Sequence, residues 1–276
     1  MTMLPSFQDG RAKSTGVSIR ICYKISTRYG ILHPELHNPG GGGSYPGSSP
    51  GPQADATFSL LTVPAQINSA PRPTWRHLSH RRLQTYPSPL TPQNTLLAAP
   101  LPTWLSNPVV TRLLSIPVSG TAEESHIFSE APHQAPNHVL VNEYTPGQGI
   151  FPHEDGSAYH PVVATVSLGS HVVLDVYAKK PNESGEREEN CRWRILQEPR
   201  SLLITTGSLY QDHLHGIVET EVDKNLDGKG VANWDLVGQK KDFEDGAKKR
   251  ETRVSLTFRD VLEVKRLGKG LSFLGK

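Results

Sequence analysis

Cysteine is scarce in this chain: two in 276 residues, Cys22 and Cys191. They form no metal-binding or redox spacing, which excludes a disulfide framework and fits a reducing compartment. Long apolar runs are missing too. No stretch approaches the roughly 20 residues of a membrane span, and the N-terminus lacks the apolar core of a secretory signal. The sequence therefore predicts a soluble intracellular protein of the nucleus or cytoplasm, without membrane contact and monomeric. Charge of one sign is also lacking, since 29 Lys and Arg nearly balance 27 Asp and Glu, for a net charge of +2. So small an excess permits a nucleic-acid partner and does not require one. Periodicity is absent from residues 1–56, which end in the Gly/Pro/Ser run NPGGGGSYPGSSPGPQADA. That composition cannot bury enough apolar surface to fold, and a disordered leader is expected. Its first 34 residues hold five Lys/Arg against one acid, a balance shared by mitochondrial presequences and by basic tails.

What is present begins near Phe58. The stretch PRPTWRHLSHRRLQTYP interleaves Arg72, Arg76, Arg81, Arg82, His77 and His80 with Trp75 and Tyr86. That mixture suits phosphate contact and base stacking, and equally a solvated basic surface with two aromatic core anchors. LPTWLSNPVVTRLLSIP predicts one or two short helices cut by Pro108, with Trp104, Leu105, Val109, Val110, Leu113 and Leu114 in the core.

The richest stretch is Asn137 to Ser170. His138 to Tyr144 alternates as a strand, with Val139, Val141 and Glu143 on one face and Leu140, Asn142 and Tyr144 on the other. A turn follows, then a polar loop carrying His153 and Asp155. Two residues apart on extended backbone, this imidazole and carboxylate point to one side, as two ligands of one metal ion must. About half of one such pair is expected by chance at this His and Asp content, so the pair needs company. Val162 to Leu168 and His171 to Tyr177 predict two strands joined as a hairpin at Gly169-Ser170. RWRIL and SLLITT predict two more, and the second leads to His213 and His215, either of which offers a third ligand nitrogen. Two His and one carboxylate with open positions suit ferrous iron that activates oxygen.

Glu219 to Glu251 is charged and poor in pattern, a surface insertion that is either functional or disordered. After it, RVSLTFR alternates cleanly. Arg253, Ser255, Thr257 and Arg259 face one way, and Val254, Leu256 and Phe258 the other. Such a strand is a solvent-exposed edge or the floor of an anion pocket, where two guanidiniums suit a ligand with a carboxylate at each end.

NHVLVNEYTPGQGIFPHEDG, LHGI and RVSLTFR together resemble the AlkB family of iron(II)- and 2-oxoglutarate-dependent dioxygenases. APRPTWRHLSHRRLQTY, SLGSHVVLDVY, LQEPRSLLI and the LGK ending are most similar to the family's sixth animal and plant homologue. The resemblance covers about residues 60–276. It implies a mainly β (α+β) fold, a double-stranded β-helix or jelly roll with flanking helices, over residues 57–276 with the core at about 137–263. It implies His153, Asp155 and His215 as catalytic iron ligands, His215 being the His of the Leu-His-Gly segment and His213 a neighbour. Asn142, Tyr144, Arg253, Ser255, Thr257 and Arg259 match the positions around 2-oxoglutarate, Arg253 at its distal carboxylate and Arg259 near the metal-bound one. Fe(II), 2-oxoglutarate and O2 are then the cofactor and cosubstrates. The implied reaction oxidises a C–H bond while 2-oxoglutarate becomes succinate, and an N-methyl carbon would leave as formaldehyde. Alkylated nucleic acid (RNA or DNA) or protein is the expected substrate. Two features depart from the family pattern. His215 and Arg253 are 38 residues apart, longer than in the family's bacterial repair enzyme, and low-complexity sequence replaces a leading apolar strand before Phe58.

Two other readings compete. A catalytically silent nucleic-acid- or protein-binding module would use the same fold, although every ligand position is filled. A cupin-like sandwich holding Mn or Zn leaves the paired Arg253 and Arg259 unexplained.

Overall fold

The computed structural model describes residues 20–24, 75–116, 125–180 and 190–266. In chain order the strands are β1 (Arg20–Lys24), β2 (Arg76–Leu78), β3 (Arg81–Tyr86), β4 (Thr95–Leu97), β5 (His138–Tyr144), β6 (Ile150–His153), β7 (Tyr159–Gly169) and β8 (Val172–Ala178). They continue as β9 (Trp193–Gln197), β10 (Ser201–Thr206), β11 (His213–Ile217), β12 (Val222–Lys224), β13 (Ala247–Lys249), β14 (Arg253–Val261) and β15 (Glu263–Lys265). A major sheet runs β1-β10-β7-β14-β5-β3-β2 and a minor sheet β6-β11-β8-β9. From β5 onward the chain keeps crossing between the two, which makes the double-stranded β-helix.

The crossings overturn one expectation. Gly169-Ser170 does not close a hairpin, because β7 pairs with β10 and β14 while β8 pairs with β9 and β11. The corner carries the chain from one sheet to the other instead. Gly169 sits at φ +79°, and a Cβ there would lie 2.4 Å from the carbonyl oxygen of Thr252, so only glycine passes this close.

Strand alternation sorts the side chains as the sequence predicts. Val139 and Val141 of β5 and Val254, Leu256 and Phe258 of β14 join Val166 and Ile204 in a core on the outer face of the major sheet. Leu105, Val109, Leu113, Ile116 and Phe128 cover it. The first three come from helical turns at Thr103–Leu105, Ser106–Val110 and Thr111–Leu113, and Ile116 follows the last of them. The break falls at Asn107 (φ −127°, ψ 121°), because the residue before a proline is driven out of the helical region. Leu256 is fully buried, and truncating it to alanine would cost about 2–5 kcal/mol. The opposite faces of β5 and β14 look inward, between the sheets. Arg253–Val261 is buried along its whole length, which removes the solvent-edge reading of this strand.

Two further expectations change. Arg20–Lys24, inside the segment read as a disordered leader, pairs antiparallel with β10. The sequence ICY is β-prone, and β10 would otherwise present an unpaired edge. The rest of residues 1–56, Arg72 and residues 267–276 lie outside the described residues. The Glu219–Glu251 insertion is ordered: Leu226, Val231, Val237 and Phe243 pack with Val173 and Leu196 on the outer face of the minor sheet. Its pattern is poor because each short turn contributes only one apolar residue. At its base Arg250 donates twice to Asp223, at 2.7 Å each, and His171 approaches the same carboxylate at 3.2 Å.

Candidate active site

β6 and β11 bring the three candidate metal ligands together. Across this antiparallel pair His215 lies opposite His153, and Ile217 opposite Ile150. Three steps along β6 therefore match two along β11, which is a β-bulge. The extra residue lets Ile150 and His153 both face the cavity and turns Phe151 outward, where it is 72% exposed. Gly216 makes the close approach possible, since a Cβ there would lie 2.9 Å from the Ile150 carbonyl oxygen and from the Pro152 nitrogen. This is a backbone reason for glycine in the Leu-His-Gly segment.

Asp155 enters from the loop after β6. One ligand atom from each of His153, Asp155 and His215 lies within 4.8 Å of the others. His215 Nε2 is 4.0 Å from Asp155 Oδ2, and Arg259 donates to Asp155 Oδ1. His153 Nδ1 is 2.8 Å from the Phe151 carbonyl oxygen, which can only accept, so Nδ1 carries the proton and Nε2 keeps its lone pair for a metal. Burial lowers the pKa of His215 to about 4 and pushes His153 down as well, so both rings are neutral at physiological pH. Burial alone would raise Asp155. Arg259, then the two imidazoles, outweigh it and hold the carboxyl below its usual range, leaving it ionised. Two neutral imidazoles and one carboxylate around one point are what a divalent iron with open positions takes.

The cavity beside the triad measures ≈ 250 Å³. Asn142 and Tyr144 from β5 and Arg253, Ser255, Thr257 and Arg259 from β14 line it with the triad, so all nine residues singled out in the sequence meet there. Arg253 is the telling member. Its Nη2 donates to Ser167 Oγ at 2.8 Å and to Gln197 Oε1 at 3.1 Å, yet its buried Nε has no partner. Among the described residues no carboxylate pairs with it. Burial lowers its pKa only to about 10, so it remains a cation at neutral pH. A buried guanidinium without a counter-ion costs several kcal/mol, which the carboxylate of a bound ligand would offset. The site thus has the donors for iron at one end and a cation for a dicarboxylate at the other.

A family model for the 2OG-Fe(II) oxygenase superfamily matches residues 71–259. The chain belongs to that superfamily. It is 37% identical over 221 residues to a Danio rerio protein named "Probable RNA/DNA demethylase ALKBH6", covering 76% of this chain and 82% of the relative. A Xenopus tropicalis relative, "tRNA (carboxymethyluridine(34)-5-O)-methyltransferase alkbh8", is 34% identical over 127 residues, 46% of this chain and 18% of its own. The solved structure of OsALKBH1 aligns over 73% of this chain and 94% of its own at 17% identity, with a TM-score of 0.42.

As an AlkB-type 2OG-Fe(II) oxygenase the protein is a 2-oxoglutarate-dependent dioxygenase, with Fe(II), 2-oxoglutarate and O2 as its cofactor and cosubstrates. Several cavity residues of this oxygenase escaped the sequence reading. Gln197 of β9 lines the cavity and, with the buried Ser167 of β7 behind the lining, holds Arg253; neither side chain is ionic, and only tertiary contact reveals them. Arg81, read as a phosphate-contacting or surface residue, lines the cavity and donates to Asn142 Oδ1 at 3.1 Å. Leu174, Val176, Ile195, Leu203 and Ile217 supply an apolar wall. His213 stays outside the cavity lining, buried against Trp193 with Nδ1 2.9 Å from the Ser208 carbonyl oxygen.

Proposed function

We propose that this dioxygenase oxidises N-alkyl groups on nucleic acid and so acts as an oxidative demethylase. In this reading His153, Asp155 and His215 hold the iron. Arg253 takes the distal carboxylate of 2-oxoglutarate, Tyr144 and Asn142 flank the cosubstrate, and Arg259 steadies Asp155 beside the other carboxylate, with Ser255 and Thr257 on the same wall. Bound iron, 2-oxoglutarate and oxygen supply the oxidising step, one oxygen atom passing to succinate and the other to the substrate carbon, with loss of CO2. The protein's own part is to fix Asp155 and the two neutral imidazoles and to keep water out with the apolar wall. An N-methyl carbon hydroxylated there is a hemiaminal, which breaks its C–N bond to give the amine and formaldehyde.

The β2–β3 hairpin carries the nucleic-acid part of the reading. It places Arg81 inside the cavity, while Arg76 and His77 beside it are exposed and make no ion pair among the described residues. Cationic groups next to an oxidising site suit a phosphate-bearing substrate. The zebrafish relative's printed name points the same way. The reading also carries the nucleus or cytoplasm as the site of action, where nucleic acid is met and a free thiol such as Cys191 stays reduced. It carries a monomer as the acting species. Fractionation of cells and sedimentation of the purified chain test these two points.

The deciding experiment gives Fe(II)-loaded protein 2-oxoglutarate, ascorbate, oxygen and single-stranded oligonucleotides with N-methylated bases. Formaldehyde and succinate released in equal amounts are expected. Succinate coupled only to a methylated peptide would overturn the nucleic-acid substrate, and no consumption of 2-oxoglutarate would favour the silent binding module.

A further inference from the structure

We infer that Phe151, with His80 at its edge, is a stacking platform for a nucleobase next to the target nucleotide, outside the cavity in which that target is oxidised. The inference rests on the nucleic-acid reading above and adds a residue that none of the site chemistry uses.

The bulge in β6 is the first observation. By expelling one residue it leaves Phe151 72% exposed, the most exposed large apolar side chain among the described residues, within two positions of the metal-ligating His153. Burying such a ring against a flat partner would gain about 1.5–3 kcal/mol. The backbone at Phe151 is also held from behind, because its own carbonyl accepts from His153 Nδ1.

The second observation is what flanks it. His80, at the turn of the β2–β3 hairpin, meets Phe151 edge to face, with ring centroids 5.7 Å apart and planes at 78°. His80 Nδ1 is in turn 2.6 Å from Glu219 Oε1, which holds the imidazole in place. An edge-on neighbour leaves a face of the Phe151 ring free, and a flat partner adds by stacking there. Arg81, the residue after His80, lines the cavity, so the platform and the cavity share one rim. Phe151 itself is absent from the cavity lining. A base stacked on it is therefore not the base whose carbon is oxidised, and the nucleotide beside the target is the one that can reach it.

The occupant is a single strand rather than a duplex, since a stacked base must be unpaired from its neighbours to lie on a protein ring. Arg76, exposed on β2 of the same hairpin as His80, is a cation open to the phosphates of such a strand. Stacking of this kind tolerates sequence, because every base offers a π face.

The test measures binding of fluorescein-labelled single-stranded oligonucleotides to the Fe(II) form of the full chain. The probes carry one N-methylated base flanked by normal nucleotides or by an abasic site on either side. Wild-type protein is expected to lose about 5- to 150-fold in affinity when one flanking base is removed, the loss that one stacked base implies. Phe151→Leu should bind the intact probe as weakly as wild type binds that abasic probe. Phe151→Trp should restore affinity, and iron content in each variant controls for damage to His153. Equal binding by Phe151→Leu and wild type would overturn the platform and leave the nucleic-acid substrate standing. Failure of wild type to bind any oligonucleotide would overturn both.

Discussion

His153 and His215 are direct cross-strand partners, registered opposite each other in β6 and β11 with ring centroids 4.5 Å apart. The sequence offered His213 and His215 equally on spacing, and the pairing separates them. His215→Ala is expected to abolish iron retention and 2-oxoglutarate consumption. His213→Ala, which alters a ring outside the cavity, should keep iron without the roughly 10- to 100-fold loss that follows when a ligand's supporting partner is removed. Metal analysis beside a succinate assay decides this, and a reversed ranking would reassign the third ligand.

Arg253 should govern cosubstrate binding. Arg253→Met removes the buried cation and is expected to raise the KM for 2-oxoglutarate roughly 30-fold or more, from the ~2 kcal/mol or greater cost of truncating a buried charge pair. Arg253→Lys should recover only part of this, because an ammonium lacks the planar fork that Ser167 and Gln197 hold in place. Gln197→Ala should give a smaller rise. Initial rates against 2-oxoglutarate concentration measure all three.

His138 should make stability depend on pH. Its buried ring is pushed down to about 4, first by burial and then by the Arg259 charge. The unfolded ring titrates near 6.5, so between these values the unfolded chain binds the proton that the folded one refuses. The stabilisation is complete above pH 6.5 and is lost as pH falls toward 4, by about 3 kcal/mol at most. Urea midpoints of metal-free protein should fall over this window, and less steeply in His138→Gln. An equal slope in the variant would remove His138 as a source.

Arg250 should be the keystone of the 219–251 cap. It is 4% exposed, donates to Asp223 twice and to the Val218 carbonyl at 2.8 Å, and so ties the cap to the end of β11. Arg250→Ala leaves Asp223 buried without its counter-ion, and a loss of roughly 3–5 kcal/mol is expected. Arg250→Ala with Asp223→Ala should be less destabilised than the single variant. Urea unfolding, with hydrogen exchange in residues 219–251, tests both.

The sequence by itself determined the pieces that local chemistry writes directly. The alternation of RVSLTFR and HVLVNEY assigned inner and outer faces before any fold was known, since strand side chains alternate whatever the partner. His153 and Asp155, two residues apart, could be paired for the same reason. What only the tertiary structure decided are relations between distant segments. Gly169-Ser170 looks like a hairpin turn locally, but which sheet receives the next strand is set by pairing with β14 and β11. The cap's order was illegible because its apolar residues converge from separate turns. Gln197 and Ser167 join the candidate site only by lying against Arg253. Phe151 is ordinary in sequence, and its exposure follows from a register mismatch between β6 and β11, which is a property of the pair and of neither strand alone.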